Sequence, residues 1–181
     1  DIGEKVQKLE LDGDKFLKLH RGIMDVTNID LSFINLDLNM KSTHQYGSND
    51  GDPNLINSIK SYYNLDNHDI IICPGGMSTI DIVVNSLSDI TFWVPKYHWG
   101  SWNKILKIHN KDIQFFDEFD LSIFRPTRGV VMMCYPSNPT GWIPDMNELC
   151  DFVKHCSMNN ITVVLDLPYY HLFFSPSSIS N

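Results

Sequence analysis

From residue 53 onward the hydrophobic residues switch back and forth between helical and strand spacing, and this alternation limits what the chain can fold into. Asp52-Pro53 reads as a cap followed by proline at the first helical position, with Leu55, Ile56, Ile59, Tyr62 and Tyr63 recurring at helical spacing. Residues 69–73 are a short β-branched run closed by Pro74-Gly75-Gly76. Ile80, Val83, Val84 and Leu87 form the next helical stripe, and residues 90–94 a strand stopped by Pro95. Trp99, Trp102, Ile105, Leu106 and His109 repeat at three and four; residues 113–116 are another strand. Residues 129–135 are a continuous apolar strand ended by Pro136. Asp145, with Glu148 three residues on, is an Asp-type relative of the capping box placed before Leu149, Phe152, Val153 and Cys156. Residues 161–165 are the last clear strand, followed by Asp166 and Pro168. Apolar strands separated by helices predict the α/β class: a mostly parallel sheet with helices on both faces, three layers deep.

A chain of 181 residues suits one domain with a real core. Residues 1–45 read as an N-terminal arm or helix segment: 4–20 helical but interrupted at Asp12-Gly13-Asp14, and 29–38 extended. Residues 46–181 read as one partial domain, with a loop or frayed end at 175–181. The composition is globular, at 43% hydrophobic and 20% charged. A net charge of −8, with only Arg21, Arg125 and Arg128 as arginines, argues against a nucleic-acid partner. No apolar stretch approaches the roughly 20 residues of a membrane span. Cys73, Cys134, Cys150 and Cys156 have neither metal-ligand spacing nor a secreted framework, so buried thiols in a reducing, cytoplasmic compartment are expected. Alanine is absent altogether, which reads as biased genomic composition. The chain starts at Asp1 without methionine, so it is expected to be cut from something longer.

In open α/β sheets, ligands bind beyond the carboxyl ends of the strands. Four polar or aromatic clusters follow strands here: Pro74-Gly75-Gly76-Met77-Ser78-Thr79, Pro95-Lys96-Tyr97-His98-Trp99, Tyr135-Pro136-Ser137-Asn138-Pro139-Thr140-Gly141, and Asp166-Leu167-Pro168-Tyr169-Tyr170. Each has an ordinary reading beside a functional one. Gly75-Gly76 is a tight strand-to-helix turn or a phosphate cradle, and it matches neither dinucleotide nor Walker patterns. Tyr97 is a half-buried loop aromatic or a stacking platform. Asn138 is a turn residue, although Ser-Asn-Pro-Thr-Gly is more elaborate than a turn requires. Asp166 ends a buried strand, where a carboxylate is costly without a partner; it is a cap or an anion facing a ligand cation.

Taken together, residues 46–170 resemble the class I/II aminotransferases, the fold-type-I enzymes that use pyridoxal 5'-phosphate. The resemblance lies in Tyr46-Gly47, Gly51-Asp52-Pro53-Asn54-Leu55, the Pro74-Gly75-Gly76-Met77-Ser78 turn, Pro95-Lys96-Tyr97, the Ser-Asn-Pro-Thr-Gly loop and Asp166-Leu167-Pro168-Tyr169. It implies that Asp166 pairs with the protonated pyridine nitrogen and that Asn138 and Tyr169 bond the ring's phenolate oxygen. It further implies that Tyr97 stacks on the ring, that backbone N–H groups of Gly76 and Met77 hold the phosphate, and that Tyr46 reaches the phosphate of a neighbouring subunit in a homodimer. The implied substrates are an α-amino acid and a 2-oxo acid.

The sequence also departs from the family. The family's Schiff-base lysine lies beyond the Asp-x-x-Tyr segment, whereas the last lysine here is Lys154, and nothing suggests that Lys96 substitutes. Leu167-Pro168 stand where the family usually has Asp-Glu. The chain is therefore expected to be the N-terminal part of an aminotransferase large domain, with exposed strand edges and no activity alone. A lysine-less subunit that stabilises or regulates a catalytic partner, a related lyase or synthase, and an unrelated phosphate-binding α/β domain are the alternatives.

Overall fold

The computed structural model describes residues 2–12, 30, 32–34, 37, 39–87 and 90–172. Contacts divide the chain into two compact units, Asp1–Tyr46 and Gly47–Asn181. In the first, α1 spans Ile2–Leu11 and stops at the predicted interruption, where Asp12 donates its N–H to the carbonyls of Lys8 and Leu9. A single 3-10 turn covers Lys41–His44. Residues 13–20 of the predicted 4–20 helix, half of the predicted 29–38 arm and all of the 175–181 tail lie outside the described residues.

In the second unit α2 (Pro53–Tyr63) and α3 (Gly76–Ser86) precede the alternation β1 (Phe92–Pro95), α4 (Gly100–Ile108), β2 (Ile113–Phe116), β3 (Val130–Cys134), α5 (Met146–Met158) and β4 (Thr162–Asp166). The strands form one parallel sheet in the order β2-β1-β3-β4. Phe92 registers with Ile113 on one side and Val130 on the other, and Cys134 with Asp166. Every residue of β3 is buried, as a central strand covered on both faces requires. Val130, Met132 and Cys134 join Ile80 and Val84 of α3 and Trp102 and Leu106 of α4; Val131 and Met133 join Phe152 and Cys156 of α5. Alternate side chains of one strand thus build two cores, and the expected α/β layering is present.

The helix starts follow their caps. Asp52 accepts from the N–H groups of Asn54 and Leu55 and Asp145 from those of Asn147 and Glu148, so orphan donors of the first turn are satisfied. Glu148 does not close a reciprocal box: its carboxylate accepts from the Ser122 N–H at 2.9 Å. Asp145→Ala is expected to cost about 1 kcal/mol, read as a lower denaturant midpoint at unchanged slope. Gly129, at φ +106°, lets β3 begin beside β1; a Cβ there would lie 2.4 Å from the Thr91 carbonyl oxygen.

One strand is not formed. Residues 69–73 are irregular; Ile72 donates its N–H to Asp50 at 2.8 Å, and Ile71 is 66% exposed. A strand exists only through the ladder of a neighbour, and none of the described strands lies alongside this run, whatever its β-branched composition favours. Cys73, half-buried, and Cys150, exposed, also depart from expectation, while Cys134 and Cys156 are buried. No helix of the described residues is long and apolar enough to cross a membrane.

Candidate active site

Four parallel strands place all their carboxyl ends along one edge, and the loops that leave them meet there. A cleft of about 310 Å³ opens at that edge, near the lower end of the roughly 300–1,000 Å³ usual for small-ligand pockets. Gly76 and Met77 line it from the start of α3, Trp99 from before α4, Cys134 and Asn138 from the end of β3, and Asp166 and Tyr169 from the end of β4. Each of the four sequence clusters contributes a wall.

Asp166 closes β4 and is partly buried. The Trp102 indole N–H donates to its Oδ2 at 3.3 Å. Burial pushes the carboxyl above its ordinary range, and the indole bond only partly offsets this. No lysine or arginine pairs with it among the described residues. A carboxylate held this way gains most from a cation delivered by a ligand. Opposite it in the chain, the Asn138 amide donates to the Tyr169 hydroxyl at 3.2 Å, so the two residues expected to act on one oxygen are in contact. Cys134 does not compete as a reactive group. Burial pushes its thiol up to about 11, and it donates to the Pro136 carbonyl at 3.4 Å.

The start of α3 carries no side-chain cap. Gly75 sits at φ 89°, a conformation that suits glycine, and supplies no side-chain cap. The Ser78 and Thr79 hydroxyls donate back to the carbonyls of Pro74 and Gly75, both at 3.2 Å, rather than capping the helix. No side chain caps the first-turn N–H groups, and the positive end of the helix dipole lies behind them.

Tyr97 is not among the cleft-lining residues; it is 57% exposed, with its ring tilted 6.3 Å from Phe119. Tyr46 is fully exposed and belongs to the first unit. Two residues, Trp102 and Glu118, stand outside the four sequence clusters, and a third, Trp99, closes one of them without being singled out. Trp99 lines the cleft and Trp102 holds Asp166, although both also belong to a helical stripe. Their signal is position, since they close a strand-exit cluster and open the helix after it. Glu118, two residues beyond β2, is 2% exposed. Its signal is that β2 too is a strand parallel to the others, so the loop that leaves it ends on the same edge.

No match is found among curated protein sequences. Among solved structures the chain is similar to a Thermus thermophilus aspartate aminotransferase mutant, at 16% identity and TM-score 0.61, covering 75% of this chain and 43% of that one. It is similar to Bna3p of Saccharomyces cerevisiae at 18% identity and TM-score 0.65, covering 79% and 40%. L-threonine-O-3-phosphate decarboxylase from Porphyromonas gingivalis matches at 15% identity and TM-score 0.59, covering 64% and 36%. At these identities the likeness is one of fold, and the chain spans about two-fifths of the length of the structures it matches. The family model for aminotransferase class I and II matches residues 23–181. With the strand order, the edge cleft and this match in agreement, the chain belongs to the class I and II aminotransferase family.

Proposed function

We propose that this chain is the cofactor-holding part of a pyridoxal-phosphate-dependent aminotransferase that moves an amino group between an α-amino acid and a 2-oxo acid. The observation that carries the proposal is Asp166, a partly buried carboxylate without a cationic partner among the described residues, in one cleft with an uncapped helix N-terminus and the Asn138–Tyr169 pair. That donor and acceptor set fits a phosphorylated pyridine. When bound, pyridoxal phosphate supplies an electron sink for a carbanion at the substrate's α-carbon. Asp166 keeps the proton on the ring nitrogen, and Asn138 with Tyr169 bonds the phenolate oxygen. The N–H groups of Gly76 and Met77 hold the phosphate. Of the two aromatics in the second loop, Trp99 lines the cleft and takes the ring face in this reading, with Tyr97 at its rim. Tyr46 reaches the phosphate of a second copy in a homodimer. Four free thiols fit a reducing compartment such as the cytoplasm.

No lysine lines the cleft among the described residues. Lys96 pairs with Asp117 at 3.2 Å, and Lys154 with Asp151 on α5. The described residues therefore supply binding and electronics but not the amine that anchors the cofactor and carries protons, and by itself the chain is proposed to be inactive. The same observation favours a second reading, a non-catalytic subunit that stabilises or regulates a lysine-bearing partner. A lyase or synthase would use the same Asp, Asn and Tyr, and one fold neighbour is a decarboxylase.

The test is to titrate the gene product that contains this chain with pyridoxal phosphate and follow visible absorbance. Labelled nitrogen is then traced from an amino acid to a 2-oxo acid. A new visible band with nitrogen transfer supports the first reading. Co-purification of a lysine-bearing partner supports the second. No spectral change at saturating cofactor removes the first reading, and the absence of a co-purifying lysine-bearing partner removes the second.

A further inference from the structure

Glu118 is a charged side chain where none is cheap. It is 2% exposed, and burial pushes its carboxyl upward. No cation pairs with it among the described residues. What it has is hydroxyls. Ser137 Oγ donates to it within 3.1 Å of both carboxylate oxygens, and Thr140 Oγ1 donates to Oε1 at 3.0 Å. Ser137 and Thr140 bracket Asn138 in the chain, so one carboxylate grips the loop on both sides of the residue that faces the cleft. The grip continues outward: Thr140 Oγ1 accepts from the Trp142 N–H at 3.3 Å, and Ser137 donates its own N–H to the Trp142 carbonyl at 2.9 Å.

A turn by itself does not need this. Gly141 already closes the loop by donating its N–H to the Ser137 carbonyl at 2.7 Å. An apolar side chain at position 118 would avoid the cost of burying a carboxylate. A buried carboxylate whose oxygens both accept hydrogen bonds can hold geometry, because each broken hydrogen bond would strand a buried polar group. The residue it holds in place is Asn138, whose amide must stay within reach of Tyr169, 3.2 Å away.

We propose that Glu118 is a positioning residue for the site: through the Ser137 and Thr140 hydroxyls it aims the Asn138 side chain at Tyr169 and at the ligand oxygen the two share. The role toward the ligand rests on the cofactor reading above, whereas the aiming of Asn138 does not. A misplacement of about 1 Å in such a group costs roughly 100-fold in rate, so the expected effect is large for a residue that touches no ligand.

The experiment uses the gene product containing this chain and three variants, Glu118→Gln, Glu118→Ala and the double replacement Ser137→Ala with Thr140→Val. The last leaves the carboxylate in place and removes only its donors. The first readout needs no cofactor: the side-chain amide resonances of Asn138 in asparagine-labelled protein. Their shifts and solvent-exchange protection are expected to hold in Glu118→Gln and collapse in the other two. The second readout is the pH profile of visible absorbance with pyridoxal phosphate bound, compared with Asn138→Ala. Glu118→Ala is expected to move the profile as Asn138→Ala does, and to move it no further when both are combined.

Retention of the Asn138 amide signal in the double replacement overturns the proposal. So does a Glu118→Ala profile identical to wild type with only the melting temperature lowered, since that is a purely structural role. If the wild-type protein shows no cofactor band while the amide signal responds as expected, the aiming stands and the cofactor reading falls.

Discussion

On the proposed function, Asp166→Ala in the gene product that contains this chain is expected to lower turnover by about 10²–10³-fold, the scale on which a single pre-oriented electrostatic group acts in a site partly shielded from water. The side chain ends β4 at the cleft and is held by the Trp102 indole, so its removal leaves the sheet register untouched. The isosteric Asp166→Asn is expected to do similar damage to activity while making the cofactor-free protein more stable at neutral pH. The sign follows from burial. The carboxyl is pushed up in the folded chain, so as pH rises the unfolded chain loses its proton first. Wild-type stability therefore falls from the ordinary carboxylate range up to the raised folded value, and the deficit is complete above it. The amide carries no such penalty. A gain of about 1 kcal/mol, roughly 2–4 °C in Tm for a chain of this length, is expected at neutral pH. It should vanish below the window. Because Glu118 is also raised by burial, the informative quantity is the difference between variant and wild type at each pH. If Asp166→Asn melts below wild type at neutral pH, a cationic partner stabilises the carboxylate and the idea that it awaits a ligand cation is wrong.

Phe152→Ala is expected to be the most damaging change to the fold, at about 3–5 kcal/mol. The ring is fully buried on the inner face of α5, stacked 5.7 Å from Phe124, which in turn stacks 4.2 Å from Phe116 of β2. Its removal opens a cavity between α5 and the sheet face built by Val131 and Met133. Thermal unfolding should show Tm lower by at least about 6 °C. Val153, the next residue, is 38% exposed on the outer side, so Val153→Ala should change stability by no more than about 0.5 kcal/mol. Equal effects at 152 and 153 would mean that α5 does not cover the sheet as described.

These two residues also show what was legible beforehand. Phe152 stood in the stripe Leu149, Phe152, Val153 and Cys156, and the structure buries it within a helix capped by Asp145 as read. Asp166 stood out because a carboxylate at the end of an apolar strand is an anomaly that periodicity does not explain. Residues 69–73 mark the limit on one side: their β-branched composition looked like a strand, yet strand formation is decided by a neighbour. Trp102 and Glu118 mark it on the other. In the sequence Trp102 is one more apolar member of a helix and Glu118 one acid among four in a charged stretch. Their partners are 64 and 19–22 residues away.

The amino-acid order by itself settled the layering and pointed to the sheet edge where the cleft opens, because side-chain period and strand direction are local properties that every window of the chain repeats. It also named most of the residues that line the cleft. Tertiary structure alone decided which aromatic of the second loop faces that cleft, which donor holds Asp166, and that a buried acid grips the loop carrying Asn138. Those facts depend on contacts between segments far apart in the chain, and a hydrogen bond across such a distance leaves no periodic trace in sequence.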